Sequence, residues 1–166
     1  MRGFSHDGYI IDQDCFSGYR YRGMSSDING CGWIAAYNLR RAAGQDADFD
    51  EVRREMNALY ALQIPGPTPV RKLRRYLRRY LPCAFAVGMR RSLAAAERSD
   101  AGILRYWEER TPHFIAFVRQ GDGLFRFFNV ADGQEDILCP MDRFFAGHCR
   151  RGLVRALVWT GPSPTG

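Results

Sequence analysis

Of the five cysteines, Cys31 is the one set where a thiol could do chemistry. It lies between two glycines in SSDINGCGWIAAYNLRRAAG, residues 25–44, directly before a stretch with helical apolar spacing. A thiol must lose its proton before it attacks, and a neighbouring imidazolium or a helix N-terminus favours the thiolate. The free N–H groups of the same helix turn can also donate to an oxyanion forming on a substrate carbonyl. Gly30 and Gly32 are expected to leave room for a substrate backbone. Asn29 and Gln13 are the side chains considered as further oxyanion donors.

A base must accompany the thiol, and only His6, His113 and His148 are available. His6 falls in a polar terminus and His148 beside a cysteine near a loop. His113 opens an apolar strand-like segment, HFIAFVRQ, just after ERTP. A third group should orient the imidazole. Asn129 and Asp132 both lie on the following segment, GLFRFFNVADG. If the intervening turn is the three-residue loop Gly121-Asp122-Gly123, Gln120 faces Leu124 and His113 faces Ala131. Asn129 is then the same-face diagonal neighbour of His113, because side chains alternate with period two. A two-residue turn would instead bring Asp132 or Val130 opposite. Asn129 is favoured because the apolar run before it makes it the more buried, and a buried amide needs a partner. Asp132, in VADG, also reads as turn chemistry.

Helices are expected to carry the thiol. The first starts at or just after Cys31, with Trp33, Ile34, Tyr37 and Leu39 on its apolar side and Gly44 as its stop. DFDEVRREMNALYAL, residues 48–62, has acids in its first turn, which suits the positive end of a helix. IPGPTP then breaks the chain, with Thr68 as N-cap and Pro69 at the first helical position of VRKLRRYLRRYL, residues 70–81. From Cys83 the pattern turns to strands: CAFAVGM, AGILRYWE, a hairpin around GDG, and GLVRALVWTG. SLAAAERSD reads as a short helix and MDRFFAGH as a connecting segment with partly helical spacing. Helices first and an antiparallel sheet after them make an α+β protein.

The order of these motifs resembles the papain-like cysteine peptidase superfamily. NGCGWIAAYNL, TPVRKLRRYL, PHFIAFV and FRFFNVADG are most similar to the bacterial branch that includes the leader-peptide (double-glycine) peptidases of bacteriocin transporters. The likeness covers about residues 25–160 and treats 1–166 as a single domain. It implies a papain-like fold, with N-terminal helices packed on a C-terminal antiparallel sheet, and a Cys31-His113-Asn129 triad with Asp132 as the alternative third member. It also implies hydrolysis of a peptide or other amide bond through a thioester, without metal or organic cofactor. Many relatives carry a glutamine six residues before the cysteine as an oxyanion donor, whereas this chain has Ser25 there. Loss of such a donor can cost about 10²–10³ in rate.

Composition bounds the alternatives. The 166 residues suit one domain, and the cysteines show no CxxC pair, disulfide framework or zinc-site spacing. The N-terminus lacks a signal-peptide core, and no apolar run approaches the ~20 residues that span a bilayer. A cytoplasmic protein without membrane insertion is expected, acting on a peptide or protein substrate. The net charge of +6 is only a modest basic excess. Its densest part is the Arg71–Arg79 segment, six cations interleaved with tyrosines. That segment reads first as a solvated helix face, and secondarily as a contact for nucleic acid or an acidic peptide in a non-catalytic binding module. Acyl transfer and deamidation use the same thiol chemistry as hydrolysis. The tryptophans Trp33, Trp107 and Trp159 read as core.

Overall fold

The computed structural model describes residues 2–108, 111–130, 136–149 and 152–161. A 3₁₀ turn, Gln13–Phe16, precedes a two-stranded ribbon of β1 (Arg20–Tyr21) and β2 (Met24–Ser25). The helices α1 (Ser26–Asn29), α2 (Cys31–Ala42), α3 (Phe49–Ala58) and α4 (Val70–Leu77) follow. Next come β3 (Ala84–Val87), α5 (Met89–Glu97), β4 (Ala101–Glu108), β5 (Thr111–Arg119) and β6 (Leu124–Phe128). The described chain continues through β7 (Asp136–Pro140), α6 (Met141–His148) and β8 (Arg155–Trp159). The molecule is α+β. Its six-stranded sheet runs β3-β8-β4-β5-β6-β7, and every neighbouring pair is antiparallel.

Period-two alternation divides the core between the two faces of this sheet. Ile103 and Phe114 join Trp33, Ile34, Leu39, Val52, Met56, Leu73 and Tyr76 under the N-terminal helices. Leu104, Ile115, Phe117 and Phe127 pack on the opposite face with Phe144 and Phe145 of α6. Trp33 is fully buried, as expected of a core tryptophan, whereas Trp107 and Trp159 are only partly covered.

Local chemistry explains the element ends. The Asp48 carboxylate accepts from Glu51 N at 2.8 Å, capping α3, and Asp50 and Glu51 occupy its first turn. At the end of α2 the chain turns through Gly44 at φ +73°, a conformation open to glycine. Several sequence expectations are corrected. The helix expected over 70–81 ends at Leu77. Its cap position is Pro69, because the Thr68 hydroxyl is drawn inward to the Tyr21 hydroxyl at 3.1 Å. MDRFFAGH is a full helix, and DILCP is an added edge strand that pairs with β6.

The hairpin around GDG has the three-residue loop. Gln120 N donates to Leu124 O at 2.8 Å, and Phe117 faces Phe127 in the resulting register. Asp122 at φ +61° and Gly123 at φ +73° supply the left-handed backbone of the turn. Among the described residues no helix is long and apolar enough to cross a membrane.

Candidate active site

Cys31 is the first residue of α2 and only 8% exposed. The chain enters it through a kink between two helices: Gly30 N closes α1 onto Ser26 O at 2.7 Å, and Gly30 O receives Ile34 N at 3.1 Å. The indole Nε1 of Trp33 donates to Ser26 Oγ at 3.2 Å and braces this kink. Neither glycine opens space for a substrate, which corrects the expectation. A Cβ on Gly30 would collide with Ser26 O, and one on Gly32 would stand 2.5 Å from Thr68 Cβ. The glycines are there because protein atoms press against the turn on both sides.

α2 packs across β5, which brings the His113 ring within electrostatic reach of the Cys31 thiol. His113 Nε2 lies 2.8 Å from the main-chain carbonyl of Asn129. A carbonyl can only accept, so Nε2 carries a hydrogen and Nδ1 is the nitrogen left for the thiol. Burial pushes the imidazole pKa down, but the Cys31 contact and the Asn129 carbonyl outweigh it, so the net shift is upward from the ordinary 6.5. Tyr106, directly across the ladder, sets its ring edge-on to the imidazole with centroids 6.0 Å apart.

Asn129 therefore meets His113, but through its backbone and not through the side chain that the sequence suggested. The ladder between β5 and β6 ends at Ala116 and Phe128, and Asn129 then turns to φ +60°. Asparagine is among the few non-glycine residues that adopt this conformation readily. The turn points the carbonyl at the imidazole and sends the amide the other way. Asn129 Oδ1 accepts from Gln13 N at 2.9 Å, and Asn129 Nδ2 donates to Gln13 Oε1 at 3.3 Å. Asp132, the alternative third member, lies outside the described residues.

Gln13 is a brace. Its Nε2 donates to Asp27 O at 2.6 Å, so this one side chain ties α1, just before Cys31, to the residue holding His113. Asn29 better fits an oxyanion donor. It is 6% exposed, and its Nδ2 has no hydrogen-bond partner among the described residues. A buried donor without an acceptor costs about 1–3 kcal/mol, and an acceptor brought in by a ligand would remove that cost. Ser25, six residues before Cys31, donates its hydroxyl to Ser17 O at 2.7 Å and is engaged there.

The His6 side chain is 90% exposed, and His148 stacks on Phe144 with centroids 4.5 Å apart and meets Tyr106, the ring beside His113, edge-on at 6.4 Å. Burial raises the thiol pKa of Cys83 to about 11 and of Cys149 to about 12, and that of Cys139 also shifts upward. Sequence reasoning missed Arg105, whose guanidinium lies within electrostatic reach of Cys31. The visible signal was a single charge inside the apolar strand AGILRYWE. The chain matches no family model, and no curated protein matches it.

Proposed function

We infer that the protein is a cysteine-dependent hydrolase of a peptide or other amide bond, of papain-like type. One observation carries this reading: the His113 ring, held by its Nε2 on the Asn129 carbonyl at 2.8 Å, lies within electrostatic reach of the Cys31 thiol. That carbonyl holds Nε2–H and keeps Nδ1 as the base. In the proposed reaction Nδ1 takes the thiol proton while Sγ attacks the substrate carbonyl. The oxyanion is met by N–H groups of the first turn of α2 and by Asn29 Nδ2. His113 returns the proton to the leaving amine, and water then cleaves the thioester with His113 again as base. An amine in place of water gives acyl transfer, and a glutamine side chain as substrate gives deamidation.

A peptide library incubated with the protein and read by mass spectrometry tests this. New N-termini report hydrolysis, and conversion of glutamine to glutamate reports deamidation. Both should vanish in Cys31→Ala, and Asn29→Ala should lower the turnover of any substrate found by about 10²–10³. Products that persist in Cys31→Ala, or a library left unchanged by the wild type, would contradict the assignment.

A further inference from the structure

Beside the first turn of α2, a groove of about 380 Å³ opens between α4 and the sheet. Arg71 and Arg74 of α4, Arg105 of β4 and Arg155 of β8 line it, together with Thr68 and Phe85. Among the described residues none of the four arginines is paired with a carboxylate. The Arg74 guanidinium lies over the Phe85 ring, 4.1 Å from its centroid. Arg105 and Arg155 stand directly opposite each other in the β4–β8 ladder. Like charges at such a position are destabilising. Burial and Arg155 together hold the Arg105 pKa below its usual value. An anion in the groove would relieve that repulsion.

Two features relate the groove to the helix turn that carries the thiol. Thr68, in its wall, presses on Gly32 so closely that a Cβ there would stand 2.5 Å from Thr68 Cβ. Arg105, in its floor, lies within electrostatic reach of Cys31. A ligand in the groove is thus held beside the first turn of α2, which begins with Cys31. The guanidinium fork matches a carboxylate, and Phe85 and Val70 offer apolar surface to the stem that carries it. An amide-cleaving thiol selects a peptide as the occupant over a nucleic acid.

We propose that this groove is an anion subsite of the Cys31 centre, binding the side-chain carboxylate of an acidic residue close to the scissile amide. The proposal rests on the thiol-hydrolase reading above and specifies its substrate class.

Paired alkylating agents separate the two ideas. Iodoacetate carries a carboxylate and iodoacetamide does not, so the ratio of their rates at Cys31, read by peptide mapping, reports the subsite. In Arg105→Gln/Arg155→Gln that ratio should fall about tenfold, the size expected for losing charge-assisted contacts. Arg75→Gln/Arg78→Gln, on exposed positions of the same helical segment, should leave it unchanged. Arg155→Gln alone should shift it in the same direction if the double variant does not fold. An acetylated, amidated Ala-Glu-Ala-Glu-Ala peptide should protect Cys31 from iodoacetamide in the wild type. Its glutamine counterpart with a free C-terminal carboxylate should not. An unchanged ratio in the arginine variants overturns the subsite while leaving the Cys31–His113 pair intact. Equal protection by the glutamine peptide assigns the groove to a chain terminus, and stronger protection by a short oligothymidylate assigns it to a phosphate backbone; either result overturns the proposal. If iodoacetamide alkylates Cys31 no faster than the other four cysteines, the hydrolase reading fails and the subsite with it.

Discussion

His113 meets opposing pressures, and its titration should display both. Burial disfavours the imidazolium, while Cys31 and the Asn129 carbonyl favour it, and the balance raises the pKa above 6.5. A histidine whose folded pKa is raised adds stability that is complete below its unfolded value and is lost as pH rises through the folded one. The wild type should therefore hold a lead in urea midpoint over His113→Gln at pH 5.5 that shrinks by pH 9. In a Cys31→Ser background, where the largest favourable contact is gone, the shrinkage should disappear; a lead that grows with pH would contradict the assignment. Cys31, His113 and Asn129 were all legible from residue type and spacing. The atom by which Asn129 acts was not. Alternation predicts which face a side chain takes only while the ladder lasts, and the ladder stops one residue before Asn129. The left-handed turn that follows exchanges the roles of amide and carbonyl.

Among the elements, the start of α2 depends on close approach more than on helix propensity. Gly32 faces Thr68, which is itself pinned by its hydroxyl to Tyr21 at 3.1 Å, so neither side can yield. Gly32→Ala should cost roughly 1–3 kcal/mol, the usual range for overpacking a tight site, measured by urea unfolding. It should also slow alkylation of Cys31 by shifting the first turn. No loss of stability would show that the segment before α4 can retreat from α2. The glycine flanks were visible in the sequence, but their reason was not, because the atoms that crowd them come from residues far along the chain. The same limit hid β7. DILCP carries no strong alternation, and its strand character comes from the β6 edge beside it.

At the scale of the whole molecule, the segment from Phe4 to Phe16 is what the sequence disclosed least. It reads as a polar terminus, yet it threads between α2 and β6. Asn38, fully buried on α2, binds both main-chain groups of Ile10: its Oδ1 accepts from Ile10 N at 2.9 Å and its Nδ2 donates to Ile10 O at 2.8 Å. Tyr9 stacks on Phe128 with centroids 4.2 Å apart, and Asp7 pairs with Arg126 at 2.6 Å. These contacts carry Gln13 to Asn129. Asn38→Ala would strand two buried backbone groups and should destabilise the protein by roughly 2–5 kcal/mol. It should also loosen the hold on His113, read as slower alkylation of Cys31 under conditions where the variant remains folded. Full stability in Asn38→Ala would mean that the segment docks by its apolar side chains alone. The α+β class was readable because it follows from local alternation and turn residues, whereas the hairpin register hung on a turn type that those residues left open. The N-terminal strap depends on single long-range hydrogen bonds, which leave no periodic trace.

The Cys31–His113 pair is tested most directly by the pH dependence of iodoacetamide labelling, resolved cysteine by cysteine, in the wild type and in His113→Ala. The pair predicts that Cys31 alone is alkylated readily near pH 6 and that this advantage disappears with the imidazole. Labelling of Cys31 that follows the other four cysteines, or that persists unchanged in His113→Ala, would contradict it.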